Sequence, residues 1–587
     1  MADLKPMIGK IKIRSESGGI KTATVRYYNM EDVTIEGFCK FCKNNILLII
    51  AISIALVFTY GIRLFWYFIN NDTVRLFRNM MDMPSIPGTT LGIFDNGRFG
   101  RYLMSKILFI KGFNPFTGFF GAFCLIWFFT VSWCYIIAIF NKDTVRNMKL
   151  IPFALVFMTM PVWAEQFSNI YQAEENALII SLCPYVIYLL FKGFLDNEKG
   201  KIAGAVILLV FMTSIYQAIV PLFCCGVFIC FILLQEQSEY DPHFYRMLCL
   251  KIFVAFIGSL ALYSFINEII PVIARINKDT TYIDDMNGWG KVSGVNNLFS
   301  IVSLGYILTI GDISLVQNIV NPIIAREHIA GISAVEYFAV LSKAFANLLL
   351  LPAMIFFLIK IAINTRKKIP SGRRLLYLLA GIGIPLSIVL LSVVLGSRQT
   401  IRTLYALPLA YAFMLYYLIG AYKKKLAIGI ACLSLLAAVY QMETTAQLFF
   451  SDYMQYNDDV RFAYELNNLI TQVQPYSEKL PVVFCGLYQG ISQFQPNFLR
   501  GEVIGVSSFG QGSNPLGTTI YALSFMNSLG IYFDMPNRNQ AERAFSEAKL
   551  LPSYPDPNCA RRMQDFIVVR VSETLYENAY LYNTINK

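Results

Sequence analysis

Long apolar runs separated by short polar connections dominate the chain between residues 45 and 447. Several runs approach the roughly 20 residues that a helix needs to cross a bilayer. The pattern predicts eleven spans, at about 45–69, 113–140, 150–163, 176–191, two within 202–234, 252–274, 337–362, 375–396, 403–421 and 425–447. We therefore expect a polytopic α-helical membrane protein.

The run from Ile202 to Leu234 is too long for one span and short for two. A polar stretch, 213–217, interrupts it and predicts two short helices that meet at a turn. Irregular backbone at membrane depth requires protein or a watery cavity to satisfy its polar groups. Tyr216 and Gln217 should therefore face a cavity.

The polar segments divide the chain into regions. Residues 1–44 are basic, and basic connections on alternate sides of the spans place this segment in the cytoplasm. The same rule predicts that the loop 70–112 and the segment 275–336 are external. Within the segment 275–336, the apolar piece 298–310 should form an interfacial or re-entrant helix. Residues 448–587 have a soluble composition and should form a small external α/β domain. Its predicted elements are a helix at 457–471, a strand in LPVVFCG, a helix at 539–549 and a strand in DFIVVRVS.

Composition supports this class of protein. Of 587 residues, 56% are hydrophobic and only 15% charged, whereas soluble proteins have roughly a quarter charged residues. The net charge of +11 could suggest nucleic acid. Because the basic residues gather in the short connections between spans, we expect membrane lipid and no nucleic acid as a partner.

Cysteine and histidine offer little chemistry. Cys39 and Cys42 form a lone C-x-x-C without a second ligand pair, which favours two reduced thiols over zinc. Cys485 and Cys559 could form a disulfide or stay free. The two histidines fall on opposite sides of the predicted membrane, so neither a histidine metal site nor a Ser-His-Asp triad is expected. Catalysis should rest on carboxylates, arginines and amides.

The polar loop Phe68–Arg101 concentrates such groups. Asp72 follows the first span at once, and Asp95 lies in FDNGR with Arg98 three residues on. Asp82 is better interpreted as a turn or cap residue. For Asp72 and Asp95, a structural and a catalytic role both stay open.

Other external turns supply polar residues on the same predicted face. The candidates are Glu165, Gln166, Tyr171, Gln172, Glu174, Tyr216, Gln217, Arg398 and Arg402. Charged groups at membrane depth are costly unless they pair or serve a site. A carboxylate can act as a general base, and an arginine offers a fork of donors to phosphate. Together they suit transfer of a group from a lipid phosphate to an alcohol. Alternatively, Arg398 and Arg402 anchor at the interface, and Glu174 caps a helix with Glu175.

Four stretches together resemble a known family. They are NND (70–72), DNGRFGRYL (95–103), WAEQFSNIYQAEENAL (163–178) and SIYQA (214–218). They are similar to the bacterial serotype-converting glucosyltransferases, membrane enzymes that add glucose to O-antigen or cell-wall polysaccharide. The resemblance covers most of the chain.

The resemblance implies a GT-C-type, inverting glycosyltransferase of the bacterial plasma membrane. Its donor would be a polyprenyl-phosphate sugar, expected to be glucose, and its acceptor a lipid-linked or surface polysaccharide. It also implies a functional link to a polyprenyl-phosphate glucosyl synthase and a flippase.

The family's catalytic acid typically lies in the first external loop, which often begins with paired aspartates. This chain has Asn71-Asp72, so Asp72 is the retained acid. The resemblance therefore favours Asp72 first and Asp95 second as catalytic residues, with Glu165 and Gln172 binding substrate. The missing first acid leaves a divalent metal as an open alternative without support from the sequence, and no other cofactor is indicated.

Two other functions are also compatible with a polytopic membrane protein of this kind. A flippase or exporter of lipid-linked saccharide would need polar residues in both membrane halves, whereas the polar clusters here are one-sided. A polysaccharide polymerase would use large external loops without a folded C-terminal domain.

Overall fold

The computed structural model describes most of the chain. The described residues are 8–14, 20–26, 30–70, 73–74, 96–108, 115–145, 147–274, isolated positions between 298 and 309, 344–396, 400–474, 480–512 and 514–573. Asp72, Asp95 and Arg398 lie outside them, as does most of the predicted external segment 275–336.

Helices make up most of the described structure. In chain order they are α1 (Ile35–Asn44), α2 (Ile46–Phe65), α3 (Phe99–Leu108), α4 (Pro115–Phe140), α5 (Leu150–Thr159), α6 (Val162–Phe167), α7 (Ile170–Leu195), α8 (Lys199–Ile215), α9 (Ile219–Gln237), α10 (Pro242–Ala274), α11 (Leu350–Lys367), α12 (Arg374–Leu395), α13 (Ala406–Ala421) and α14 (Lys424–Val473). Among the described helices, seven are long and apolar enough to cross a membrane. The protein is therefore a helical membrane protein, while the count of eleven spans stays a prediction.

One predicted interruption of an apolar run is present, and the run predicted as a single span at 150–163 is interrupted where the sequence pattern predicted no break. α8 ends at Ile215 and α9 begins at Ile219, which confirms the predicted break between two short helices. The short third run is also divided, because Met160 leaves the helical region with ψ at 126°. Proline disfavours a helical conformation in the residue before it and suits the start of a helix. Pro161 thus ends α5 and starts α6.

The last predicted span was too short. The sequence pattern separates a span at 425–447 from a soluble helix at 457–471, but α14 runs without a break through both. No glycine or proline occurs after Gly429 within it, so nothing stops the helix. Its 50 residues extend roughly 75 Å, far beyond a bilayer's ~30 Å hydrocarbon core. The division of the chain at residue 448 stays a prediction.

Two other helix starts differ from the prediction. α10 begins at Pro242, ten residues before the predicted 252. α11 begins at Leu350 instead of 337, although residues 337–343 lie outside the described chain. A turn precedes α11, in which the Asn347 side chain accepts a hydrogen bond from the Leu349 amide over 3.1 Å.

Strands occur at both ends of the chain. The basic N-terminal segment contains an unpredicted antiparallel hairpin of β1 (Ile8–Arg14) and β2 (Ile20–Arg26). Near the C-terminus lie β3 (Val482–Cys485), β4 (Ala560–Arg562) and β5 (Ile567–Arg570). They form a sheet of order β3-β5-β4, in which β5 is parallel to β3 and antiparallel to β4.

Two helices cover this C-terminal sheet, α15 (Pro515–Ser528) and α16 (Arg538–Ala548). The predicted strands in LPVVFCG and DFIVVRVS and the helix at 539–549 are thus present as β3, β5 and α16. The sheet region also packs on α14, where the ring of Phe462 stacks on Tyr488 with centroids 3.7 Å apart. A long helix therefore connects the apolar bundle directly to the C-terminal region.

Candidate active site

The N-terminal end of the polar loop is fastened by a buried arginine. Arg63, in the last turn of α2, is 3% exposed. Its Nη1 donates to the carbonyl of Phe68 over 2.6 Å and its Nη2 to the carbonyl of Ser168 over 2.9 Å. The guanidinium also lies 3.9 Å from the centroid of the Phe68 ring. Arg63 thus joins the start of the loop to the turn between α6 and α7.

Polar side chains continue this junction. The Asn70 amide donates to Ser168 Oγ over 3.1 Å. Thr73 Oγ1 lies 2.8 Å from Asn70 Oδ1 and 3.2 Å from Asn169 Oδ1. The residues that precede and follow positions 71 and 72 are therefore both held against the turn 168–169.

The C-terminal end of the loop is held by a different set of contacts. Gly97 has φ of +68°, and a Cβ there would lie 2.5 Å from Tyr263 Oη, so glycine is required. Tyr263 donates to the Gly97 carbonyl over 2.9 Å, and the Gln217 amide donates to the Asn96 carbonyl over 2.7 Å. Gln217, a predicted substrate-binding residue, holds the turn that follows Asp95.

Two arginines at the start of α3 contact the aromatic residues of neighbouring turns: Arg98 immediately precedes the helix, and Arg101 lies in its first turn. The Arg98 guanidinium lies 4.7 Å from the centroid of the Tyr216 ring. Tyr216 in turn packs on Tyr405, with centroids 5.6 Å apart. Arg101 lies 4.5 Å over the ring of Tyr171. These cation–π contacts bring three predicted site residues together at one end of the bundle.

Arg101 also forms a buried ion pair that the sequence analysis did not select. Its Nε lies 3.2 Å from Glu175 Oε2, with the Glu175 side chain 1% exposed. With its amide oxygen facing Arg101, Gln172 accepts from Nη1 and Nη2 over 2.8 and 3.1 Å. No local sequence signal predicts the Arg101–Glu175 pair, because its two residues are 74 positions apart in the chain.

Glu165 faces the C-terminal region. It is 1% exposed, and its two carboxylate oxygens accept from the backbone amides of Glu502 and Val503 over 2.6 and 3.0 Å. Burial, with the nearby charge of Glu502, raises the pKa of Glu165 to about 8, against the two amide hydrogen bonds and the charge of Arg402. The substrate-binding role predicted for Glu165 is untested, whereas its contact with the C-terminal region is explicit.

The contacted segment, residues 501–508, is called the strap here. Two further carboxylates, both on α14, hold it by its backbone. Asp452 accepts from the amide of Gly505 over 3.0 Å, and Asp459 from the amide of Ser508 over 2.6 Å. The strap is therefore fixed to α14 as well as to α6.

Several buried polar atoms near this junction have no hydrogen-bond partner among the described residues. They are Gln166 Oε1, Asn176 Oδ1 and the hydroxyl of Tyr405. Tyr405 also packs on Trp163, with centroids 5.4 Å apart. Buried polar groups normally find partners, so these atoms are suited to bind the hydroxyl groups of a substrate. Asn176 and Tyr405 were not selected from the sequence.

The remaining candidates are less informative. Glu174 packs against α4, where a Cβ on Gly121 would lie 1.9 Å from Glu174 Oε1. Arg402 is half-buried in the turn Ile401–Thr403. Within the described residues, no group of three histidine, cysteine or acidic side chains could hold a metal ion. Cys485 and Cys559 are both buried and free, so the disulfide considered between them is not formed.

A bundle of long apolar helices with arginines, amides and carboxylates gathered at one end defines a membrane protein with a buried polar site. Residues 64–419 match the family model described as Glucosyl transferase GtrII. The chain belongs to this glucosyl transferase family and is a membrane glycosyltransferase, which confirms the resemblance found in its motifs.

The chain was also compared with curated proteins and with solved structures. No curated protein matches the chain significantly. Among solved structures, the chain is similar to the Archaeoglobus fulgidus oligosaccharyltransferase, crystallised tethered to an acceptor peptide. That similarity has 13% identity and a TM-score of 0.33, over 83% of this chain and 68% of the other.

The Arg101–Glu175 pair makes a testable prediction about stability. Arg101→Leu leaves a buried carboxylate without its partner, which should cost about 3–5 kcal/mol, while adding Glu175→Leu should recover most of the loss. Thermal unfolding of the purified protein in detergent measures both. Arg538→Leu is the control, because its exposed pair with Glu542 is worth at most about 1 kcal/mol. If Arg101→Leu reduced the stability by no more than Arg538→Leu does, the Arg101–Glu175 pair would not be a buried, stabilising ion pair.

Glu165 makes a prediction about pH. Because its pKa in the folded protein is about 8, above the ordinary value of 4.5, folding takes up a proton between these values. The ionisation of Glu165 should therefore lower the free energy of unfolding as pH rises from about 4.5 to about 8. Above about pH 8 this loss of stability should level off. Glu165→Gln removes this component, so the difference in melting temperature between the two proteins should change across that window. A constant difference from pH 5 to pH 8 would show that Glu165 ionises normally.

Proposed function

We propose that the protein transfers glucose from a polyprenyl-phosphate donor to a hydroxyl group of a surface polysaccharide. Membership of the glucosyl transferase family supports the transferred sugar. The proposed setting is the external face of a bacterial plasma membrane, as the charge pattern of the connections predicts.

The observation that carries the proposal is the double attachment of the polar loop. Arg63 and Asn70 join its first residues to the turn at Ser168, and Arg101 joins its last residues to Glu175. Both attachments lie within WAEQFSNIYQAEEN, at Ser168 and Glu175, seven residues apart. Asp72 immediately precedes the anchored Thr73, and Asp95 immediately precedes Asn96, so short stretches of chain connect both acids to this junction.

The proposed reaction is a single displacement. Asp72 or Asp95 accepts the proton of an acceptor hydroxyl, whose oxygen attacks the anomeric carbon of the donor sugar. The bond from that carbon to the phosphate oxygen breaks, and polyprenyl phosphate leaves with the electron pair. One displacement inverts the anomeric centre.

Arginines suit the leaving phosphate. The Arg98 guanidinium lies over the Tyr216 ring, the charge of Arg402 acts on Glu165, and Arg398 lies four residues before Arg402 in the chain. Preorganised donors directed at developing charge are worth roughly 3–4 kcal/mol each in other enzymes. The sugar and acceptor hydroxyls would bind to Gln166 Oε1, Asn176 Oδ1 and the Tyr405 hydroxyl, three buried atoms without a partner in the described chain.

The rival functions receive less support. Family membership favours a transferase over a flippase or exporter of lipid-linked saccharide. A polymerase also transfers sugar, but the folded elements after residue 480 and their attachment through Glu165 are not features expected of one.

Replacing the loop acids tests the proposed catalytic base. Loss of a general base typically costs about 10²–10⁴-fold in rate, so Asp72→Asn or Asp95→Asn should reduce glucosyl transfer by that factor with little change in donor affinity. Transfer from radiolabelled polyprenyl-phosphate glucose in membranes gives the rate. Asp82→Asn is the matched control, with the same charge removed from the same loop, and should keep its activity. Full activity of both Asp72→Asn and Asp95→Asn would refute the assignment.

A further inference from the structure

A second polar site lies at the other end of the helix bundle. α9 begins next to Gln217 and ends at Gln237, so its last turn is roughly 25 Å from the candidate active site. A cavity of about 550 Å³ lies there, between the end of α9 and the connection from α11 to α12. Its lining residues are 235–240, 242, 368–370 and 373. We call this cavity the basal pocket.

A buried cation lines the basal pocket. Arg373 is 6% exposed, and its Nη1 donates to the carbonyl of Ser238 over 3.0 Å and to Tyr245 Oη over 3.1 Å. Its Nε has no hydrogen-bond partner in the described part of the chain. Neither contact supplies a negative charge, and a buried cation without one is costly. The arginine therefore favours an anionic ligand.

A buried amide lies beside it. Gln235 is 2% exposed, and neither its oxygen nor its nitrogen has a hydrogen-bond partner among the residues that the structure describes. An apolar side chain would fill a dry position without this cost. The amide can both donate to and accept from a ligand that enters the cavity.

The rest of the lining carries charges of both signs. Lys368 is exposed at the rim, within a connection whose basic residues are Arg366, Lys367, Lys368, Arg373 and Arg374. Glu236 is held in place because its Oε1 accepts from Tyr377 over 2.5 Å and from Tyr417 over 2.7 Å. The charged residues of the lining are therefore two basic side chains, Arg373 and Lys368, and two carboxylates, Glu236 and Glu239.

We propose that the basal pocket binds a phosphate ester whose head group carries hydroxyl or ammonium donors. The phosphate would accept from Arg373 Nε and Lys368, and the head group would donate to Glu236 and the Gln235 oxygen. The volume of the pocket is in the range of small-molecule sites. Basic pockets between helices at a membrane surface suit lipid head groups. A membrane phospholipid and a soluble phosphate ester share this chemistry.

Ligand-dependent stability tests the proposal. Purified full-length protein in detergent is titrated separately with short-chain phosphatidylglycerol and with glycerol 3-phosphate, while the melting temperature is followed. The pocket variants are Lys368→Gln, an exposed position that should fold normally, and Gln235→Leu. The control is Lys425→Gln, which removes an exposed lysine at the same end of the bundle but outside the pocket.

The melting temperature of the wild-type protein should rise saturably with at least one ligand. The half-saturating concentration should increase roughly tenfold in both pocket variants, because each loses a hydrogen bond to the ligand, and stay unchanged in Lys425→Gln. A response to the lipid alone assigns the pocket to bilayer phospholipid, and a response to both assigns it to the phosphate ester in general. No saturable response, or an equal response in all four proteins, would overturn the proposal.

Discussion

Two buried arginines hold the polar loop to one short segment, which comprises the turn between α6 and α7 and the first two turns of α7. Arg63 comes from the helix that precedes the loop, and Arg101 from the helix that ends it. A buried guanidinium is stable only where carbonyls, carboxylates and aromatic faces surround it. Each arginine therefore fixes the position of its partners as well as its own. The positions of the two ends of the loop are therefore determined by these contacts.

The C-terminal region depends on the same segment. Glu165 precedes the turn at Ser168 by three residues and binds the strap, while Asp452 and Asp459 on α14 bind it from the other side. All three carboxylates accept from backbone amides of the strap, and Asp459 also accepts from the Ser507 hydroxyl over 2.7 Å. A Cβ at Gly501 would lie only 1.6 Å from Glu165 Oε1, so glycine is needed where the strap meets α6. The motif WAEQFSNIYQAEEN thus lies at the junction of three parts of the molecule: the polar loop, the apolar bundle and the C-terminal region. This explains why a motif so rich in polar residues occurs among buried helices.

Sequence periodicity predicted the local elements well and the long-range contacts poorly. The break at Tyr216, the two strands at 482–485 and 567–570 and the helix at 538–548 each follow from short patterns of apolar residues and breakers. The continuous α14 was missed because its apolar and amphipathic halves have different patterns, although no residue between them breaks a helix. The α/β character of the C-terminal region was visible, whereas its attachment through Glu165 joins residues 337 positions apart and leaves no local signal. Arg101 was visible as a loop arginine, but its pairing with Glu175 became apparent only in the folded chain.

The proposed glucosyl transfer at this junction is distinguishable from mere movement of a lipid-linked sugar across the membrane. Incubating the purified wild-type protein in sealed liposomes with polyprenyl-phosphate glucose labelled in the sugar, together with a polysaccharide acceptor, tests it directly. The account predicts that label moves from the lipid to the polysaccharide in proportion to enzyme and acceptor, and that the new linkage has the opposite anomeric configuration to the donor. Label that crosses the bilayer but stays on the lipid would contradict it.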